Sequence, residues 1–400
     1  FRLRGKRTLL IIAVAAFVFS ALLALPGCGD GETETDSKEP IKVGVVLSES
    51  GANEPLGKPE RNSIELYVDR LNDAGGIDGH MIEVIIKDDQ SDANKAQQAA
   101  VELLQQEEVV ALIGSSGTGT TIAMKQEATK ARVPMVTMAA GANIMDGDFT
   151  WIFRTPPTAT EAGKKVLEYV SEELGVKRIA LLYDTNAFGT DGKAVVESEA
   201  ADYGLDVVVS EGYVTDESEE GMDTHLTNIM TADPEVVVVW GTNPGPAKIA
   251  KRMRDKGIDL PYVGSHGIAN QAFIELAGDA ANGVVFPAGK MLIFELILEP
   301  GSEEYEFIKD YSDAYFEEYG EHIDTFGGHG WDAITIIVEA LKRAGTDVTP
   351  EELRDEIEAT EGLVGTAGIF TYSPTDHNGL SPDDLTMVEI VDSKWEHYSK

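Results

Sequence analysis

The chain has 400 residues, 70 acidic and 32 basic side chains, and a formal net charge of −38 at neutral pH. Such acidity excludes nucleic acid and an anionic membrane surface as expected partners, because both repel a negatively charged protein. The 7 histidines are scattered without an HExxH pair, and the only cysteine has no partner for an internal disulfide. We therefore predict no metal site and no disulfide framework.

The N-terminal segment has the pattern of a secretory signal. Basic residues precede an apolar run, and Pro26 and Gly27 break its helical pattern just before Cys28. The sequence LPGC resembles a bacterial lipobox, whose cysteine becomes the lipidated first residue of the mature chain. A membrane-spanning anchor is the alternative, since the run is nearly long enough to cross a bilayer. We predict a lipoprotein signal over residues 1–27, followed by a flexible acidic tether over residues 28–40.

Beyond the tether, apolar β-branched runs alternate with segments of helical spacing. The run Ile41–Leu47 predicts a first strand, and the apolar spacing over Leu56–Ala74 predicts a first helix that ends at a glycine pair. The same alternation continues to the short strand VPMVTM. It is typical of a parallel sheet that helices cover on both faces.

The alternation restarts after Pro156 and Pro157 with a second set of strands and helices, including a helix over Ala187–Tyr203. The length beyond the tether suits two domains better than one core. We therefore predict an α/β protein with two Rossmann-like lobes and a ligand cleft between them. The last third is more helical, with predicted helices over Glu303–Tyr319, Trp331–Ala344 and Pro350–Ala359 and late strands at AGIFTY and TMVEIV.

Small polar loops follow the predicted strands, at the edge of the sheet where open α/β proteins bind ligands. The loop GSSGTG leads into a helix, whose first N–H groups and positive dipole end favour an anionic group. It lacks the lysine of a phosphate-binding P-loop and the third glycine of a dinucleotide fingerprint. We therefore expect it to bind a small polar group, and we predict no cofactor.

Three segments beyond Ile41 stand out: LNDAGGIDGHMIEVIIKDDQSDANKA, GWDAITIIVEALKRAG and GTAGIFTYSPTDHNG. On these segments, the chain from Ile41 onwards resembles the type I periplasmic solute-binding proteins of ABC transporters, in particular the branched-chain amino acid (Leu/Ile/Val-binding) group. The first segment is similar to the most specific signature of this family, and the other two are similar to its late helix and closing strand. The resemblance implies two lobes that close on a small molecule, an amino acid or a related carboxylate or amide, and ABC permease subunits as partners. It also implies attachment to the outer face of the cell envelope, extracellular or periplasmic, through lipid on Cys28.

The resemblance further implies where the two lobes begin and end. Lobe 1 would comprise residues 41–158 and 289–367, and lobe 2 residues 159–288 and 368–400. Three crossing segments would join them, near Thr155–Thr160, Pro287–Lys290 and Ala367–Thr371.

A set of ligand-binding residues follows from the same resemblance. The hydroxyl of Thr118 would hold the carboxylate of the ligand, with backbone groups at Ala139 and at Gly141, where relatives often carry threonine. Phe188 and Phe326 would pack on the ligand body. The alternatives are a helix-capping role for Thr118 and plain core roles for the two phenylalanines. The full predicted set is Leu56, Thr118, Ala139, Gly141, Phe188, Thr242, His266 and Phe326.

His266 departs from the family pattern, because amino acid binders tend to place an acidic residue there to pair with the ammonium of the ligand. A neutral imidazole brings no negative charge, so a ligand without ammonium is favoured: an aromatic or aliphatic carboxylate, an amide or a urea-like compound. A protonated His266 would attract a second anionic group as the pH falls through about 6.5. The alternatives are a plain turn histidine, or a compensating charge from Glu49, Glu54 or Asp184.

Two other functions remain open on the sequence. A sensory ligand-binding domain of the same fold would signal instead of supplying a transporter. An amidase-like enzyme is the third hypothesis, but the chain has no G-x-S-x-G elbow and no nucleophile paired with an identifiable base. We therefore predict a binding protein and not an enzyme.

Overall fold

The computed structural model describes residues 38–399. The predicted signal over residues 1–27, the predicted lipidation site Cys28 and most of the predicted tether lie outside the described residues. Between residues 38 and 399, no helix combines the length and the apolar character that crossing a bilayer requires.

Five parallel strands form the first sheet, in the spatial order β2-β1-β3-β4-β5. They are β1 (Ile41–Leu47), β2 (Ile82–Asp88), β3 (Ala111–Gly114), β4 (Met135–Thr137) and β5 (Ile152–Arg154). Val43 of β1 is paired with Val84 of β2 and with Ala111 of β3. Val45 and Val46 point into separate apolar clusters on the two faces of the sheet. Burial on both faces explains why β1 is a nearly continuous apolar run.

Three helices follow the first three strands: α1 (Glu54–Asp73), α2 (Ala93–Gln105) and α3 (Thr118–Ala131). α1 begins slightly before the predicted start at Leu56. The start of α2 is determined by Asp92, whose carboxylate accepts hydrogen bonds from the N–H groups of Asn94 and Lys95. α3 begins directly after Gly117, so the glycine-rich loop opens onto the start of a helix, as the sequence predicted.

The second sheet begins with five parallel strands: β6 (Arg178–Asp184), β7 (Asp206–Tyr213), β8 (Val236–Trp240), β9 (Tyr262–Gly264) and β10 (Val285–Gly289). Its helices are α4 (Ala159–Glu168), α5 (Ala187–Glu199), α6 (Met222–Thr231), α7 (Gly245–Asp255) and α8 (Gln271–Ala277). Thr158 and Glu161 form a capping box at the start of α4. The single helix predicted over Ala187–Tyr203 changes to a 3₁₀ segment over Ala200–Tyr203.

The C-terminal third adds helices to the first lobe and strands to the second sheet. Its helices are α9 (Phe294–Ile297), α10 (Glu303–Tyr319), α11 (Thr325–Ala344) and α12 (Pro350–Glu358). Its strands are β11 (Leu363–Val364), β12 (Ile369–Phe370), β13 (Leu385–Val391) and β14 (Lys394–His397). β13 is antiparallel to β10 and pairs with β14, which gives the order β14-β13-β10-β9-β8-β6-β7, whereas β11 and β12 form a separate ribbon. β14 was not predicted.

α11 begins well before Trp331, where the sequence analysis predicted its start. The carboxylate of Asp324 caps the helix by accepting a hydrogen bond from the Gly327 N–H at 2.8 Å. Several glycines hid this first turn, because glycine is unfavourable inside helices. They are needed for close packing: a Cβ at Gly330 would lie 2.6 Å from the carbonyl oxygen of Glu60 in α1.

The two sheets have separate apolar cores. One core unites the first sheet with α1, α11 and α12, and another unites the second sheet with α6, α7 and α8. Phe370, Tyr372 and Leu380 pack in the first core. The chain therefore returns to the second sheet only between Leu380 and β13. The predicted two-lobed α/β architecture is confirmed.

Candidate ligand-binding site

A cavity lies between the carboxyl ends of the strands of the two sheets. It is partly open to solvent and has room for a small molecule. The start of α1, the loops after β3 and β4 and the first turn of α11 line one side, and the loops after β6, β8 and β9 line the other. The predicted residues on its wall are Leu56, Thr118, Ala139, Phe188, Thr242, His266 and Phe326.

Gly141 does not belong to the cavity wall, although it was predicted to contact the ligand. A Cβ at this position would lie 2.3 Å from Thr118 Cγ2 and 2.8 Å from its hydroxyl oxygen. The Thr118 side chain thus occupies the space that a threonine at position 141 would need. Gly141 serves the site indirectly, by leaving room for Thr118.

The start of α3 offers N–H groups and one free hydroxyl to the cavity. Gly117 is the N-cap, so Thr118 is the first residue of the helix and does not cap it. The Thr120 hydroxyl donates to the Gly117 carbonyl at 2.8 Å, and the Thr121 hydroxyl donates to the Ser115 carbonyl at 3.1 Å. Within residues 38–399, the Thr118 hydroxyl has no hydrogen-bond partner. A helix start with a free hydroxyl is suited to a carboxylate.

Buried carboxyl groups hold the serines of this loop from behind. The Ser115 hydroxyl donates to Asp89, and the Ser116 hydroxyl donates to Glu60. The Ser48 hydroxyl also donates to Asp89, at 2.7 Å. Burial raises the pKa of Glu60 well above its usual value and also raises the pKa of Asp89. The hydroxyls of Ser115 and Ser116 therefore already have internal partners, although Ser116 is one of the residues that line the cavity.

The second loop of this wall is held by a buried cation. The guanidinium of Arg154 donates to the carbonyl oxygens of Ala140 and Gly141 at 2.7 and 2.8 Å. Burial lowers the pKa of Arg154 to about 10, so it remains charged at neutral pH. No carboxylate between residues 38 and 399 forms an ion pair with it. A buried positive charge therefore lies next to the candidate carboxylate site.

On the opposite wall, Phe188 and His266 bring aromatic rings to the cavity, while Phe326 does so from the α11 side. The ring of Phe188 lies 5.3 Å from the ring of His266 and 6.0 Å from that of Trp240, measured between centroids. Phe188 and Phe326 are each only 7% exposed, yet both line the cavity. These two phenylalanines therefore contribute to the core and to the cavity wall at once.

His266 is a buried, neutral residue of the cavity wall. It begins a 3₁₀ turn after β9 and is 7% exposed. Burial first, and the positive charge of Arg154 second, lower the pKa of His266 to about 3. The expectation that His266 protonates near pH 6.5 and attracts a second anion is therefore wrong, because the imidazole has lost the water that would stabilise its charged form.

His329 also lines the cavity, and the sequence analysis missed it. It follows Phe326 by three residues in α11, so both side chains share one face of the helix. His329 is 4% exposed, and burial and the nearby His266 lower its pKa to about 3. The helical spacing of Phe326 and His329 was the available signal, but the glycines around it concealed the helix.

No Asp, Glu, Lys or Arg side chain is among the described residues that line the cavity. Glu49 pairs with Arg61. Asp184 accepts hydrogen bonds from the Thr215 hydroxyl and the Asn186 N–H. Glu49, Asp184 and Glu54 do not line the cavity. None of these three side chains is therefore placed on the wall to pair with the ammonium of a ligand. Between residues 38 and 399, no cluster of three or more His, Cys, Asp or Glu side chains suits a metal ion.

Residues 40–394 match the family described as periplasmic binding protein. The chain belongs to the periplasmic binding protein family. The resemblance drawn from the residues is thereby confirmed, and so is the predicted type I fold. The family is one of solute-binding proteins.

Among its relatives, this periplasmic binding protein is similar to the leucine-, isoleucine-, valine-, threonine- and alanine-binding protein of Pseudomonas aeruginosa. The two are 23% identical over 342 residues, which cover 85% of this chain and 87% of the relative. It is also 25% identical to the Leu/Ile/Val-binding protein of Escherichia coli over 248 residues, which cover 62% of this chain and 67% of the relative.

Solved structures of similar proteins have the same fold. An extracellular ligand-binding receptor from Rhodopseudomonas palustris has a TM-score of 0.84 and 25% identity, with 90% of this chain and 99% of that chain covered. The substrate-binding protein of a branched-chain amino acid transporter from Streptococcus pneumoniae, in complex with isoleucine, has a TM-score of 0.79 and 28% identity. In that comparison, 89% of this periplasmic binding protein and 98% of the other chain are covered.

Proposed function

We propose that the protein is the substrate-binding lipoprotein of an ABC importer. It captures an amino acid or a related small carboxylate or amide between its lobes and delivers it to the permease. The observation that carries this proposal is the cavity between the two sheets, where the start of α3 presents the free hydroxyl of Thr118. Relatives named as amino acid-binding proteins, one of them a transporter's substrate-binding protein, support it. We propose binding without chemistry.

The residues on the cavity wall bind different parts of the ligand. Thr118 and the first N–H groups of α3 bind the carboxylate, and the backbone at Ala139 completes that site. Leu56, Phe188 and Phe326 surround the apolar body of the ligand. These residues come from both sides of the cavity, so the ligand is fully enclosed only when the lobes are closed.

The lobe boundaries remain part of the proposal. We assign residues 41–158 to lobe 1 and residues 159–288 to lobe 2, with crossings near Thr155–Thr160 and Pro287–Lys290. The third crossing is moved from residues 367–371 to the segment after Leu380. Packing of the preceding residues in the first core supports this change.

Cell-envelope attachment completes the proposed function. Cys28 would carry lipid at the extracellular or periplasmic face, and the acidic tether would let the binding domain reach the permease. This part rests on the lipobox-like sequence LPGC and not on the described residues.

A thermal-shift screen of the full mature chain tests the proposal. The compounds are amino acids, aromatic acids, short-chain acids, amides and urea. A ligand that binds only the folded form stabilises it by about 2.7 kcal/mol at a hundredfold excess over Kd. We expect at least one small carboxylate or amide to raise the melting temperature in a saturable way. Loss of that shift in Thr118→Val would support the site, whereas no stabilisation by any compound class would contradict the proposed function.

A further inference from the structure

Polar atoms on the cavity wall are buried without a hydrogen-bond partner in the described part of the chain. They are Thr242 Oγ1, both ring nitrogens of His266 and Nδ1 of His329. None of the three residues is more than 7% exposed. Buried polar atoms in folded proteins are nearly always paired, because an unpaired atom has lost its water without a replacement. Three such residues on one cavity indicate a ligand that supplies the missing partners.

The unpaired groups are electrically neutral. Burial lowers the pKa of both His266 and His329 to about 3, so each ring carries one N–H donor and one acceptor nitrogen at neutral pH. The hydroxyl of Thr242 likewise donates and accepts. A hydroxyl or a carbonyl oxygen on the ligand matches this set, whereas an ammonium group only donates and needs a compensating negative charge.

The charge that acts on this part of the cavity is positive. The guanidinium of Arg154 lowers the pKa of His266, which means that its positive charge is felt at the imidazole. None of the described residues on the cavity wall brings a carboxylate to oppose it. A cationic group beside His266 would therefore be repelled, and an anionic ligand as a whole would be attracted.

Apolar side chains form a further part of the wall. They belong to Leu56, Met138, Pro156, Phe188 and Phe326, while polar side chains of Asn53, Ser91, Ser116, Thr120 and Asn186 line other parts of it. The ligand body that fits here is aliphatic or aromatic, between the carboxylate site at α3 and the neutral polar groups.

We propose that the ligand is a carboxylate with an apolar body and a neutral hydroxyl or carbonyl group in place of the ammonium of an amino acid. His266, His329 and Thr242 select this neutral group, and the lack of an acid on the wall rejects the ammonium. This inference rests on the proposed function, because it takes the start of α3 as the carboxylate site.

Two matched series of compounds test this proposal by titration calorimetry on the mature protein. One contains leucine, 2-hydroxy-4-methylpentanoate and 4-methylpentanoate, and the other contains phenylalanine, 3-phenyllactate and 3-phenylpropanoate. Within a series, only the group on the second carbon changes. We expect the hydroxy acid to bind at least about tenfold more tightly than the amino acid. The hydroxyl finds neutral hydrogen-bond partners, whereas the ammonium brings a positive charge that no carboxylate compensates.

Variants connect this preference to the named residues. His329→Leu and Thr242→Val should each lower the affinity for the hydroxy acid by about tenfold. The affinity for the unsubstituted acid should change much less. His266→Glu should reverse the preference toward the amino acid, because it adds the missing carboxylate. His225→Gln is the control, because His225 lies between Glu211 and Glu217 and does not line the cavity. Melting curves verify that each variant folds.

The outcomes separate the two proposals. Tighter binding of leucine or phenylalanine than of the matching hydroxy acid in the unmodified protein would overturn the ligand inference alone. Binding of none of the six compounds would contradict the proposed carboxylate-binding function on which the inference depends. Loss of hydroxy acid affinity in His329→Leu, with the control unchanged, would support both.

Discussion

At the scale of single residues, the glycine-rich loop separates structural hydroxyls from a free one. Ser115 and Ser116 bind buried carboxyl groups, and Thr120 and Thr121 bind backbone carbonyls of the same loop. Thr118 has no such partner among residues 38–399. The hydroxyl side chains of one loop thus have different roles, which depend on where each side chain points.

Replacement of Thr118 by valine tests the role of its hydroxyl. Valine keeps the branched shape but cannot donate, so the affinity for a carboxylate ligand should fall by about 1–3 kcal/mol. The melting temperature without ligand should hardly change, because no internal hydrogen bond is lost. Calorimetry with the tightest ligand from the screen and unliganded melting curves measure the two quantities.

Thr120→Val is the matched control. The Thr120 hydroxyl donates to the Gly117 carbonyl at 2.8 Å and lies 2.8 Å from the Ser115 hydroxyl. This variant should therefore lower the unliganded stability by about 1 kcal/mol. If Thr118→Val instead lost stability and kept its affinity, the hydroxyl would be structural.

The buried histidines predict a pH dependence of stability. The pKa of His329 is about 3 in the folded protein and about 6.5 when unfolded, so only the unfolded chain binds a proton between these values. The contribution of His329 to the free energy of unfolding therefore falls as the pH falls below about 6.5. Between about pH 6.5 and 4.5, the free energy of unfolding of His329→Gln should therefore fall by about 2 kcal/mol less than that of the parent protein. Urea unfolding at the two pH values measures this difference.

Other groups titrate in the same range, so the comparison is made between variant and parent. Burial raises the pKa of Asp324 and Asp332 to about 7, and their effect has the opposite sign: stability rises as the pH falls from 7. His266 contributes like His329, and Arg154 stays charged throughout. Equal pH dependence of His329→Gln and the parent would contradict a neutral buried His329.

The proposed envelope attachment depends on Cys28. If it carries the lipid, Cys28→Ser in the producing cell should abolish fatty-acid labelling and yield soluble, unprocessed or wrongly processed protein. Metabolic labelling with a fatty acid and cell fractionation measure both effects. Labelling that persists in the variant would show that Cys28 is not the lipid site.

At the scale of elements, α11 connects the fold to the cavity. Its first two turns carry Phe326 and His329, and Gly327 and Gly330 face α1. The close approach of α11 to α1 therefore brings the first turn of α11 up to the cavity wall. Glycine, which weakens an isolated helix, is here required by packing.

Gly330→Ala tests this packing. The added Cβ would lie 2.6 Å from the carbonyl oxygen of Glu60, a backbone atom that cannot move aside alone. We expect a loss of about 1–3 kcal/mol in the free energy of unfolding. Gly119→Ala is the control, because its Cβ would meet its nearest neighbour, Ala187 Cβ, at an ordinary 3.6 Å. Chemical denaturation measures the free energy of unfolding of both variants and the parent protein. Equal stability of Gly330→Ala and the parent would contradict the close contact.

At the scale of the whole molecule, a hydrogen-bonded contact joins the two lobes beside the cavity. The carboxylate of Asp191 in α5 accepts hydrogen bonds from the N–H groups of Ala142 and Asn143, at 2.7 and 3.3 Å. These two residues begin the 3₁₀ segment after β4, in the other lobe. A contact of this kind stabilises the arrangement in which the lobes lie together.

Loss of this contact should favour separation of the lobes. In the parent protein, saturating ligand should reduce the radius of gyration, since closure around a ligand is the common motion of such proteins. Asp191→Ala should bind the same ligand about tenfold more weakly, because closure loses two hydrogen bonds to a charged group. Small-angle scattering and calorimetry measure the two effects. Ser198→Ala, an exposed change on the same helix, should leave both unchanged, and an unchanged affinity in Asp191→Ala would argue against a closing contact.

The sequence by itself determined the features that arise from local patterns. Apolar runs, helical periodicity and turn residues indicated the alternating strands and helices, because these signals act between near neighbours in the chain. The position of GSSGTG between a strand and a helix indicated an anion-binding loop for the same reason. The start of α11 was missed because glycine is unfavourable inside helices, whereas Gly327 and Gly330 are required here by close contact with α1.

Only the tertiary structure decided the electrical character of the cavity. His266 and His329 are far apart in the sequence, and burial on one cavity lowers the pKa of each to about 3, with a further contribution from Arg154 at His266. The different roles of the hydroxyls in the loop likewise depend on distant residues, since Asp89 and Glu60 accept hydrogen bonds from Ser115 and Ser116 and leave the Thr118 hydroxyl available. Desolvation and hydrogen-bond pairing are properties of the packed environment of a side chain, and residues distant in the chain create that environment.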